Sequence, residues 1–108
     1  MTAETFIKQK AKPLVFYVNQ LLAHAIPFSE VRLMVWDILE EWNKLDIDDS
    51  TPSDYELVFW NVLYLLQCWP EEEEYSHGNT FIATLNKCCS FLTNPNQEVP
   101  IGCLGVRP

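Results

Sequence analysis

The sequence predicts an all-α protein, a compact bundle of four to five helices with an extended, non-helical C-terminal tail. Three observations carry this. Apolar residues recur at helical spacing in four separate stretches. Prolines and cap-forming residues stand at the edges of those stretches. The final segment, "PNQEVPIGCLGVRP", holds three prolines and two glycines in fourteen residues, which no helix tolerates. With 108 residues, 48% of them hydrophobic and 20% charged, the chain fits one globular domain spanning 1–108, with 94–108 as the tail.

The first stripe, Leu14, Val18, Leu21, Leu22 and Ala25, predicts a helix over 13–25 opened by Pro13. Residues 3–11 read either as a short separate helix or as the first limb of a kinked one. In "SEVRLMVWDILEEWNKL", Val31, Val35, Ile38, Trp42 and Leu45 share one face and predict a helix over 29–45. Ser29 is placed to cap it, with Phe28 and Leu33 as a hydrophobic staple.

A third helix is expected over 52–69, opened by Pro52 or by a Ser53–Glu56 capping box and stopped by Pro70. The fourth, 79–93, presents Phe81, Leu85, Cys88 and Leu92, with Ile82 and Cys89 beside them. Asn79 or Thr80 is expected to cap it and Asn94-Pro95 to end it. Val99, Ile101, Leu104 and Val106 are the residues placed to strap the tail onto the bundle.

The third helix contains "LVFWNVLYLLQCW", residues 57–69, apolar on nearly every side. As a helix this run is about 20 Å long, against about 30 Å for a bilayer core. Acids flank it on both sides, so a membrane span is excluded. The segment reads instead as the central helix of the bundle, or as one partly buried in a homodimer that would leave an aromatic patch exposed on the monomer.

Lys8, Lys10 and Lys12 before Leu14–Val18, with Ala23-His24-Ala25 after, imitate a secretory signal, but Asn19, Gln20 and His24 interrupt the apolar run. The expected location is cytoplasmic. There the four cysteines, Cys68, Cys88, Cys89 and Cys103, are free and mostly buried thiols. Adjacent Cys88 and Cys89 are poorly placed to bridge each other.

Charge gives the functional lead. The formal net charge is −8. Asp37, Glu40, Glu41, Asp46, Asp48, Asp49, Asp54, Glu56, Glu71, Glu72, Glu73 and Glu74 are twelve of the fifteen acids, and Lys44 is the only base among them. Such a block repels phosphates, which excludes direct nucleic-acid binding, and attracts a basic protein. Trp36 falls off the core stripe beside Asp37, Glu40 and Glu41. It reads either as part of a second packing face or as an aromatic anchor within an acidic rim. The expected function is therefore a small acidic interaction module rather than an enzyme, with no cofactor. It would bind or inhibit a basic, nucleic-acid-binding protein in the manner of an immunity protein or a nucleic-acid mimic.

Catalytic and metal motifs are weak. Glu74-x-x-His77 has the spacing of a carboxylate-bridged di-metal helix, but the second such motif is missing. This leaves a metal-binding bundle as the alternative function, beside a homodimer whose acidity serves only solubility. "DIDDSTPSD" resembles a calcium loop but places Thr51 and Leu57 where glycine and a bidentate glutamate are needed. Cysteine and histidine spacings do not match a zinc site. No nucleophile elbow or phosphate-binding glycine loop is present.

Overall fold

Thr2 opens the first helix: its hydroxyl accepts a hydrogen bond from the Thr5 amide at 3.1 Å, one of the donors a helix start leaves unpaired. The computed structural model describes residues 2–46, 51–69 and 79–108. Among these it contains four helices and no strand: α1 Ala3–Leu22, α2 Phe28–Lys44, α3 Asp54–Gln67 and α4 Asn79–Thr93.

α1 corrects the expected start at Pro13. The proline lies inside one continuous helix rather than opening a second one. An interior proline forfeits one backbone bond. That cost is met by packing, because residues on both sides of Pro13 fall on one stripe: Phe6, Ile7, Ala11, Leu14, Val18 and Leu21 are all buried. The helix ends in a Schellman arrangement. The Ala25 amide bonds the Gln20 carbonyl, the His24 amide bonds that of Leu21, and His24 takes the left-handed conformation at φ 59°. Ala25, the last residue of the expected stripe, therefore lies outside the helix.

α2 starts one residue before the expected Ser29. Pro27 occupies the cap position and no side chain caps the helix. Nor does the Phe28–Leu33 staple form: Leu33 is exposed, and Phe28 stacks instead on Trp69 with ring centroids 5.5 Å apart and planes 10° from parallel. Of the expected stripe, Val31, Val35, Ile38 and Trp42 are buried, while Leu45 is the C-cap just past the helix and is half-buried against the core.

For α3, the choice between Pro52 and Ser53 resolves to Ser53, whose hydroxyl accepts from the Glu56 amide at 3.2 Å. The helix stops at Gln67, two residues short of the expected end. The Cys68 and Trp69 amides turn to the carbonyls of Leu65 and Leu66, which tightens the last turn. Val58, Phe59, Trp60, Val62, Leu63 and Leu66 are buried. α3 packs on α1, α2 and α4, as expected of a central helix. It shares that role with α1, which also touches the other three; α2 and α4 flank the pair without meeting among the described residues. In α4, Leu85, Cys88, Cys89 and Leu92 are buried as expected, and Phe91 joins them.

The tail is docked, but by only one of the four residues expected to strap it. Val99 packs against the core, whereas Ile101 is 99% exposed, Val106 83% exposed, and Leu104 also faces outward. Cys103, Gly105 and Arg107 make the contacts instead. The Cys103 amide bonds the Pro100 carbonyl at 3.3 Å, and Gly102 at φ 80° supplies the positive φ of a type II turn. This turn delivers the Cys103 side chain into full burial, with its thiol 3.9 Å from the Thr84 carbonyl. No helix among the described residues is long and apolar enough to cross a membrane.

Candidate protein-binding face and a buried ion pair

α2 buries one stripe, so the residues between those positions must face out. Trp36 does: it is 63% exposed. Leu33 and Glu40, three and four positions away on the same helical face, are exposed beside it, as is Asp37. Trp36 also lines one side of a groove of about 470 Å³ between α2 and the end of α3. Phe28, Leu39, Leu66 and Trp69 provide its apolar walls. Arg32 stands at its edge with the guanidinium 5.2 Å from the Phe28 ring centre. The second-packing-face reading of Trp36 thus gives way to an exposed ring beside a hydrophobic recess.

The acidic residues fall into three groups. Asp37, Asp46 and Asp54 are exposed. Glu40 and Glu41 are exposed but paired, Glu40 with Lys44 at 3.2 Å and Glu41 with Lys10 of α1 at 2.6 Å. Such surface pairs contribute little to stability, but they soften the field the sequence suggests. Asp48, Asp49, Glu71, Glu72, Glu73 and Glu74 lie outside the described residues, as does His77.

Glu56 is the exception within the acidic block. It belongs to the core, at 3% exposure, and not to the outward field. Arg107 grips it with two parallel bonds, Nε to Oε2 at 2.7 Å and a terminal nitrogen to Oε1 at 2.8 Å. The Trp60 indole N–H donates to Oε2 at 2.9 Å. The Arg107 guanidinium also lies 5.6 Å from the Trp42 ring centre, and Trp42 meets Trp60 edge to face at 4.7 Å. Burial pushes the Glu56 carboxyl up, but the hydrogen bonds from Arg107 and Trp60 and the charge of Arg107 outweigh it. The group therefore sits below its ordinary value of 4.5.

Next to this pair the tail backbone docks on α3. The Gly105 amide donates to the Leu57 carbonyl at 2.9 Å. A Cβ on Gly105 would lie 2.6 Å from the Asn61 nitrogen and 2.8 Å from its Cα, so only glycine fits. Asn61, itself buried, donates to the Cys88 sulfur at 3.5 Å. Burial first, and then neighbouring Cys103, push the Cys88 thiol up to about 12; burial and Cys103 do the same to Cys89. Both are poor nucleophiles at neutral pH.

Gly105 and Arg107 were missed as site residues. The one available sign was a solitary arginine in a tail with no other base, facing a glutamate set among apolar residues 51 positions earlier. Among the described residues no group of three or more histidine, cysteine, aspartate or glutamate side chains is arranged to hold a metal ion. No protein-family model, curated protein or solved structure matches this chain.

Proposed function

We propose that the protein is an interaction module that engages a basic protein partner through the outer face of α2. The observation that carries this reading is Trp36, 63% exposed at the side of an apolar groove, with Asp37 and Glu40 beside it. A large exposed ring next to a recess walled by Phe28, Leu39 and Trp69 has the composition of a binding anchor. The surrounding carboxylates would speed encounter with a positively charged surface, such as that of a nucleic-acid-binding protein, and would orient it.

The test is a pair of measurements on a partner purified with the wild-type chain. Trp36→Ala should weaken that complex by about 2 kcal/mol, roughly thirtyfold. The same substitution should change folding stability by no more than about 0.5 kcal/mol, because the ring packs little against its own chain. Raising the salt concentration should slow association. A complex indifferent to both the substitution and the salt would remove the reading.

A further inference from the structure

The geometry points to an arginine pocket between α3 and α2, built by Glu56 and Trp60 of α3 and Trp42 of α2, that binds extended peptides of the form Gly-x-Arg and holds this chain's own Gly105-Val106-Arg107 as its resident ligand. This inference is independent of the α2 face. The pocket has the parts that guanidinium recognition requires. A buried carboxylate presents both oxygens to a bidentate fork, at 2.7 and 2.8 Å. The Trp60 indole N–H, 2.9 Å from Oε2, donates a further bond to the oxygen that accepts from Arg107 Nε and helps to fix the carboxylate. A second indole, Trp42, supplies an aromatic face to the cation.

Two residues before the arginine, the Leu57 carbonyl reads a backbone amide, and the Asn61 backbone admits no side chain. Selectivity thus falls on glycine and arginine two positions apart, while the residue between them, Val106, faces solvent and goes unread. The resident segment behaves as a ligand in its outward side also. Upstream, Cys103 is buried in the core and Val99 packs against it, but Val106 is 83% and Leu104 51% exposed, so the Gly105–Arg107 end is held chiefly by its specific polar contacts. A tethered ligand of this kind competes at an effective concentration in the millimolar range, so an outside peptide registers only when the tail is displaced.

The experiment uses the full-length chain carrying Gly105→Val and Arg107→Ala, which ejects the tail by steric clash and removes its charge. The added ligand is the synthetic octapeptide IGCLGVRP, kept reduced; the control is the same peptide with leucine in place of arginine. The double variant should melt below the wild type. Millimolar octapeptide should raise its Tm by about 5 °C, or restore the helical circular dichroism if the variant is unfolded alone. The Trp60 indole N–H resonance should move with saturation. A variant that melts with the wild type, a peptide without effect, an equal response to the leucine control, or stabilisation that leaves Trp60 unmoved would each overturn the assignment.

Discussion

Replacing Arg107 with leucine is expected to lower the unfolding free energy by about 3 kcal/mol at neutral pH, because it strands the Glu56 charge in the core. The figure sits at the low end for a buried pair because the Arg107 side chain is 19% exposed. The pH dependence is the sharper prediction. In the wild type the folded Glu56 carboxyl lies below 4.5. On acidification the unfolded chain therefore takes up the proton first. The stability Glu56 contributes is complete above that value and fades as pH falls through the folded pKa. In Arg107→Leu the opposing partner is gone and burial remains, so the carboxyl is pushed up. The folded state then takes the proton first, and the deficit should shrink as the pH is lowered. Urea unfolding of both proteins from about pH 7 to about pH 3 tests this. Parallel curves would show that the pair does not form.

Phe59→Ala is expected to cost about 3–5 kcal/mol, a large share of the stability of a domain this size. Phe59 is wholly buried in α3, with its ring 5.0 Å from that of Trp60. Removing it opens a cavity where α3 meets its neighbours, and the Trp60 ring beside it, itself buried, limits collapse. Tyr64, five positions along the same helix, is largely exposed. Tyr64→Ala should cost less than about 1 kcal/mol. Comparable losses at the two positions, measured by chemical denaturation, would mean that α3 is not packed as described.

The helices were legible because burial of a stripe is a local, periodic requirement. Val31, Val35, Ile38 and Trp42 follow from their spacing alone, and so do Leu85, Cys88 and Leu92. The ends were less so. Ser29 has the right chemistry for a cap, but Phe28 is drawn into the helix by its stacking on Trp69, a residue 41 positions away. Pro13 looks like a start until the stripe on both sides of it is seen to be one.

The candidate sites divide in the same way. Trp36 stood out because it broke a period. Gly105 and Arg107 did not, because their roles depend on meeting Asn61 and Glu56 across the fold. Hydrophobicity pointed to Val99, Ile101, Leu104 and Val106 as the tail's anchors; only Val99 packs on the core, and the small, the charged and the sulfur-bearing residues do the rest of the holding. Glu56 shows the limit of counting charge: it adds to the acidic block in the sequence, though not to the expected binding face, and it lies in the core, because net charge counts residues without regard to which side of the surface they occupy.

The four thiols are unequal in a way that is useful at the bench. Cys88, Cys89 and Cys103 are sealed inside, whereas Cys68 is exposed just past the end of α3. A maleimide dye added to the native protein would therefore mark one position, next in sequence to Trp69 in the wall of the groove. The wild-type chain thus comes with a built-in fluorescent reporter site, without any engineering, at the place where an incoming partner is proposed to land.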